Sequence, residues 1–192
     1  MFLSTPPAIA AGSLGARPQP DLPTADGLLL RPWRPADAPA FLSAYDDPTI
    51  RHWHTRWPRS EDDVHEWLES FHRGWTAEIR ASWAVTRDGD EVLGRMALSS
   101  MNLDDGIGGC AYWVLPAARG MGVAPRALKA LSAWAFDAGF HRLYLDHSTR
   151  NDASCRVAEK AGFRLEGTQR SQAVHSDGRH DMHLHARIRG DG

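Results

Sequence analysis

The residues best suited to chemistry lie between Cys110 and Gly167. An apolar run, Cys110-Ala111-Tyr112-Trp113-Val114, reads as a strand. A turn at Leu115-Pro116-Ala117-Ala118 leads into the loop Arg119-Gly120-Met121-Gly122-Val123-Ala124. A stretch of helical period follows at once, with Ala124, Leu128, Leu131, Ala135 and Ala138 on one stripe and Gly139 at its end. Such a junction aims successive backbone N–H groups and the positive end of the helix at one point. That point suits a phosphate or pyrophosphate. Gly120 and Gly122 admit the anion where a Cβ would obstruct it. Pro125 fits the first helical turn, where its missing N–H is not needed.

Two common phosphate fingerprints are excluded. The dinucleotide pattern Gly-x-Gly-x-x-Gly fails because Pro125 stands where its last glycine would, and no Gly-Lys-Ser/Thr follows for a triphosphate loop. A second constellation comes next. Leu143-Tyr144-Leu145-Asp146 reads as a strand, followed by Asn151-Asp152-Ala153-Ser154 and a helix through Val157, Ala158 and Ala161. Gly162 suits the position after that helix, with Phe163 as the apolar residue beyond it. Ser154 is three residues after Asn151, so the two share one side of the first turn. Two readings stand side by side: a helix cap at Asn151 with Ser154 merely tolerated, or a hydroxyl placed for a reacting group.

Arg119, Gly122 and Ala124 meet the pattern Arg/Gln-x-x-Gly-x-Gly/Ala, which resembles the acyl-CoA loop of the GNAT N-acetyltransferase superfamily. The run Asn151-x-x-Ser154…Glu159-Lys160-Ala161-Gly162-Phe163…Glu166-Gly167 is similar to the ribosomal-protein N-acetyltransferase branch, the RimJ/RimL-like enzymes. The resemblance implies an α/β (α+β) fold: a mixed, mostly antiparallel sheet splayed at the acyl-CoA site, with about four helices. It implies acetyl-CoA or another acyl-CoA as co-substrate, no metal, and direct transfer from thioester to a small-molecule or peptide amine. Residues implied to hold the cofactor are Val114, Arg119, Gly120, Met121, Gly122, Val123, Ala124, Asn151 and Ser154. Within that set the Val114 N–H faces the thioester oxygen, Ser154 hydrogen-bonds the thiol sulfur, and Asn151 contacts the pantetheine arm. The chain departs from the branch at the general base. A glutamate expected at or near Ala173 is absent, which leaves His147, His175 with Asp177, or water. Of these His147 is the first choice, because it ends the strand that feeds Asn151 and Ser154. The missing glutamate keeps a non-catalytic CoA-binding module as the rival reading.

The rest of the chain must position these groups. Its 192 residues suffice for one domain with a sizeable core. A hydrophobic content of 42%, a charged content of 24% and a net charge of −2 are ordinary for a globular protein, and argue against nucleic acid as partner. No apolar run is long enough for a bilayer span. Two cysteines, Cys110 and Cys155, suggest no disulfide framework and a cytoplasmic setting. Cys155 beside Ser154 lacks the partners of a nucleophile. Residues 1–24, rich in Pro, Ala and Gly, read as a flexible tail, and residues 25–190 as the domain. Within it the pattern places a strand at Leu28–Trp33, a helix with Phe41, Leu42 and Tyr45, and a second helix capped by Ser60. Strands follow at Ser82–Arg87 and Glu91–Met101 about Asp88-Gly89-Asp90, and last strands at about 164–174 and 179–188. Trp53, His54 and Trp57 lie in an irregular stretch that the resemblance sets at the edge of the acceptor groove. There they form either an aromatic lip or plain packing. His183-x-His185 carries zinc-type ligands, but no third ligand is spaced to complete a site. A homodimer is left open.

Overall fold

A computed structural model describes residues 5–191. The strands are β1 (Leu22–Pro23), β2 (Leu28–Pro32), β3 (Ala81–Arg87), β4 (Glu91–Asn102), β5 (Ile107–Val114), β6 (Arg142–Ser148), β7 (Arg164–His175) and β8 (Gly178–Ile188). They form one 8-stranded sheet in the order β1-β2-β3-β4-β5-β6-β8-β7. Neighbours are antiparallel except β5 and β6. That parallel ladder holds only at Ile107↔Arg142, Gly108↔Leu143 and Gly109↔Tyr144. Beyond it the two strands no longer pair with each other as they run on to Val114 and Ser148, and the sheet opens between them. This is the splayed, mostly antiparallel sheet that the resemblance implies.

Five α-helices are described: α1 (Ala38–Ala44), α2 (Pro48–Trp53), α3 (Glu61–Thr76), α4 (Val123–Asp137) and α5 (Asp152–Lys160). The sequence pattern accounts for four of them. The fifth, α2, occupies part of the stretch read as irregular, because six residues are too few to show an apolar period. Its local signal is a cap: the Asp47 carboxylate accepts from the Ile50 N–H at 2.8 Å, and Pro48 opens the first turn. Ser60 caps α3 as expected, accepting from the Asp63 N–H at 3.1 Å.

The sheet carries a core on each face. Leu128, Leu131 and Ala135 of α4 pack with Leu98, Cys110, Leu143 and Leu145 of the strands and Ala158 of α5. On the other face Trp33, Phe41, Tyr45, Leu68 and Phe71 gather around Trp113. Consecutive strand residues point to opposite faces, so Tyr112 and Trp113 serve different sides of β5.

The first 24 residues need a correction over the part the structure describes. They are not a free tail. Ile9, Leu14 and Leu22 are buried in the α4-side core, and Leu22–Pro23 pairs with β2. The Glu78 carboxylate accepts from the N–H groups of Gly12, Leu14 and Gly15 at 2.6, 2.7 and 2.9 Å. Trp75 and Trp83 donate their indole N–H to the carbonyls of Arg17 and Pro20. Few apolar side chains suffice here because the backbone itself is bound. Residues 1–4 lie outside the described residues.

Candidate active site

The opening between β5 and β6 leads into a cleft of about 690 Å³, walled by β5, the loop before α4, the end of β6 and the start of α5. Backbone conformation shapes its loop. Gly120 and Gly122 both take left-handed φ, +77° and +72°, and Gly122 is the residue from which α4 starts. Side chains other than glycine adopt that conformation only with strain. The turns before Val123 therefore set the loop and the start of α4 against the cleft, a junction of the kind that can receive an anion.

Most of the expected cofactor residues line this cleft: Val114, Arg119, Gly120, Gly122, Val123, Ala124, Asn151 and Ser154, with His147 beside them. Met121 does not line it. Its side chain is half exposed, and its carbonyl accepts from Arg126 Nη2 at 3.1 Å. The Arg119 guanidinium is engaged with Asp47, at 2.9 and 3.2 Å, so it ties the loop to α2. This ion pair, against the opposing effect of burial, keeps the Asp47 carboxyl below the ordinary carboxylate range. Other cations face the cleft in its place, Arg156 and Lys160 of α5. They stand four residues apart, on one side of the helix. That spacing after Asn151 is visible in the sequence, though which wall it faces is not.

The Val114 N–H is aimed by the sheet. Leu115 donates its N–H to the Leu93 carbonyl across β4 at 2.9 Å. N–H groups of successive strand residues point to opposite edges, so that of Val114 points away from β4. On that side β6 has already parted. A backbone donor is thus presented to the opening, where a carbonyl oxygen that gains charge would find it.

Ser154 is nearly buried, at 8% exposure. Its N–H is capped by Asn151 Oδ1 at 3.1 Å, so the capping reading of Asn151 holds. Its hydroxyl has a separate partner: Ser154 Oγ lies 2.9 Å from the Tyr112 hydroxyl on β5. Tyr112 escapes a reading of the sequence because it is 42 residues away. Burial pushes its phenol up to about 12, so it stays protonated, and able to donate, throughout the neutral range. Cys155, by contrast, faces away from nucleophile chemistry. Burial, then the neighbouring Glu159 and Asp152, raise its thiol, whereas an activated thiol is lowered.

The histidines fall into two groups. His147 Nδ1 lies 2.9 Å from the Ser148 carbonyl, which can only accept, so that nitrogen carries the proton. Its ring stacks on His185 and meets His183 edge-on. Its remaining nitrogen, Nε2, is buried without a hydrogen-bond partner among the described residues and sits among the other two imidazoles. His175, the last residue of β7, also lines the cleft. Neither of its ring nitrogens has a hydrogen-bond partner among the described residues. Ala173, where a glutamate is expected, pairs across the hairpin with His180. His180 is itself held by the Ser148 hydroxyl and by Asp177, both at 2.8 Å. Trp53 packs edge-on to His175, with ring centroids 5.6 Å apart, and Trp57 is exposed. α2 and the β7–β8 turn thus close one edge of the cleft with aromatic rings, His52 Nδ1 reaching Ser176 Oγ at 3.2 Å.

A family model of the acetyltransferase (GNAT) domain matches residues 27–164. The chain belongs to the GNAT acetyltransferase family. Solved structures with the same fold include RimL, a ribosomal L7/L12 alpha-N-protein acetyltransferase in complex with coenzyme A. It matches at a TM-score of 0.81 and 19% identity, over 90% of this chain and 100% of that chain. RimJ from Mycobacterium smegmatis, in complex with CoA-disulfide, matches at 0.80 and 22% identity, over 88% and 86%. The microcin C7 self immunity acetyltransferase MccE, in complex with acetyl-CoA and AMP, matches at 0.79 and 16%, over 85% and 93%. At such identities the likeness is one of fold. Together with the motifs it makes this GNAT acetyltransferase RimJ/RimL-like in architecture. Among the described residues no helix is long and apolar enough to cross a membrane.

Proposed function

We propose that this GNAT acetyltransferase moves an acetyl group from acetyl-CoA directly to a primary amine, in a ternary complex. The observation that carries the reading is the Tyr112–Ser154 hydroxyl pair, set beside the open edge of β5. The phosphates of the cofactor lie against the N–H groups of residues 119–124, with Arg156 and Lys160 supplying charge. Asn151 borders the pantetheine arm. The Val114 N–H receives the thioester oxygen as it gains charge, and the Ser154 hydroxyl, backed by Tyr112, steadies the departing sulfur. Placement of the amine against the thioester is the larger effect, worth roughly 7–11 kcal/mol in favourable cases.

The lining favours amines of low pKa. Asp146 is the one carboxylate among the residues around the cleft, against Arg156 and Lys160, the Arg119 charge being paired with Asp47. An ammonium ion finds little to hold it there, so the acceptor enters neutral. An α-amine, pKa about 8, is neutral far more often than a lysine side chain at about 10.4. N-terminal amines are therefore the first class to test, in keeping with the alpha-N-protein activity in the RimL description. The amine's proton passes to His175. Burial first, then the nearby His180, lower its pKa, while the His52 backbone and Asp177 oppose them, and the net lowering favours the neutral ring.

The test is release of CoA thiol from acetyl-CoA with a panel of N-terminal peptides, small amines and aminoglycosides. Peptides with free α-amines are expected to turn over, and blocking the α-amine to abolish it. CoA bound tightly with no turnover on any amine would make the chain a CoA-binding module instead. Against pH, kcat/KM in the parent should rise with a limb below about 6.5 that does not follow the acceptor. In His175→Gln only the limb set by the amine should remain. A limb that tracks the acceptor in both proteins removes His175 from the mechanism.

A further inference from the structure

His183-x-His185 offers two ligands on one face of β8, since strand residues two apart point the same way. The fold supplies the partners that no spacing in the sequence reveals. His147 stands directly opposite His183 in the β6–β8 ladder. Cys155 approaches from α5, its Sγ 3.8 Å from His185 Nε2. One ligand atom from each of His147, Cys155, His183 and His185 lies within 4.8 Å of all the others. We propose that these four side chains form a structural zinc site that ties α5 to β6 and β8.

Three observations support the assignment. The donor set, three imidazoles and a thiolate, matches the mixed nitrogen and sulfur preference of zinc, and four protein ligands make a closed tetrahedral site. The ring nitrogens are already oriented. His147 donates Nδ1–H to the Ser148 carbonyl, which leaves Nε2 as a lone pair, and a backbone carbonyl in that role is a usual second partner of a ligating histidine. His147 Nε2 and His183 Nδ1 are buried without a hydrogen-bond partner among the described residues, and His185 turns its Nε2 toward the Cys155 sulfur. His185 is wholly buried and His147 is 5% exposed, so neither can turn to solvent for one. The distances also suit an ion. Tetrahedral zinc sets its nitrogen and sulfur ligands about 3.3–3.7 Å apart, so closure asks for shifts of about 1 Å. Glu159, with Oε1 3.7 Å from the thiol, adds a second negative charge beside the site. On binding, the Cys155 thiol gives its proton to solvent and the sulfur lone pair to the metal, with no change of oxidation state.

The site would hold the helix that carries Ser154, Arg156 and Lys160 at a fixed distance from the cleft wall. It is independent of the acceptor and of the reaction proposed above. The experiment uses full-length protein, stripped with a chelator and dialysed, then titrated with zinc chloride by calorimetry and with cobalt chloride by absorption. One equivalent of zinc per chain is expected, with a rise in Tm. Cobalt should give the intense visible bands of a tetrahedral ion and a thiolate charge-transfer band. Cys155→Ser should erase that charge-transfer band, and both Cys155→Ser and His183→Ala should weaken zinc binding roughly tenfold or more. Cys155→Ser exchanges one atom at a half-buried position, so it serves even if His183→Ala does not fold. Failure of the stripped parent to bind zinc overturns the proposal. So does binding of unchanged affinity in Cys155→Ser, which would move the ion elsewhere, for instance to the His52, His175 and His180 group.

Discussion

Removing the hydroxyl of Ser154 separates a catalytic from a structural role, and the structure sets the size of each effect. The Ser154–Tyr112 bond, at 2.9 Å, joins two neutral groups. Such a bond contributes about 0.5–1.5 kcal/mol to stability, with a further cost if the remaining partner is stranded. Tyr112 opens on the cleft, where water can replace the serine, so Ser154→Ala should lower stability by about 1 kcal/mol. The effect on turnover is expected to be larger. A hydrogen bond to a charged group contributes about 1.5–3 kcal/mol, and a thiolate forms only as the acyl bond breaks. Ser154→Ala should therefore reduce kcat by roughly 10- to 150-fold, at 1.36 kcal/mol per tenfold. Tyr112 is expected to matter less. Its phenol titrates near 12, against about 8.5 for a thiol, so complete transfer of its proton to the sulfur is uphill by roughly 5 kcal/mol. It polarises the serine rather than protonating the leaving group, and Tyr112→Phe should cost only about 2- to 12-fold. The assay is thiol release with an accepted amine, alongside calorimetric Kd for CoA and thermal unfolding of each variant and of the pair. Unchanged kcat per folded molecule in Ser154→Ala, with a lower Tm, would refute the reasoning and leave Ser154 as part of a helix start.

Two further perturbations test the frame around the site. At Gly122 an added Cβ meets nothing nearer than Arg126 Nε at 3.8 Å, so the burden of Gly122→Ala is the left-handed φ of +72° alone. A penalty of about 1–2 kcal/mol corresponds to a loss of roughly 5- to 30-fold in CoA affinity if the loop must hold that conformation for the phosphates. Gly122→Val should lose more, and unchanged affinity by calorimetry would place the phosphates elsewhere. The N-terminal arm should detach on acidification. Burial raises the Glu78 carboxyl, but the N–H groups of Gly15, Gly12 and Leu14 together bring it below its ordinary value. A depressed carboxyl contributes stability above its unfolded pKa, about 4.3, and loses it as pH falls through the folded value. Proteolysis within residues 5–24 should therefore be slow at neutral pH, faster below about pH 4, and fast at neutral pH in Glu78→Ala. Resistance in Glu78→Ala would show that the buried Ile9, Leu14 and Leu22 hold the arm unaided.

What the sequence determines by itself is local. The glycine loop, the start of α4, the Asn151 and Ser60 caps, and Gly162 after α5 each depend on residues within a turn of one another. Backbone φ and capping hydrogen bonds act over that range. The strand character of β5, an apolar run, and the placing of His183 and His185 two residues apart on β8 are legible for the same reason. Tertiary structure decided where those pieces face. The Val114 N–H is free only because β6 leaves β5 after Tyr144, which no residue of β5 encodes. Tyr112 meets Ser154, and Arg119 meets Asp47, across 42 and 72 residues. The arm is held because a carboxylate 63 to 66 residues away satisfies its backbone, so its poor apolar content misleads. His147, Cys155, His183 and His185 converge from two strands and a helix. Strand pairing and helix packing bring them together, and both follow from burying one contiguous core rather than from the spacing of the ligands themselves.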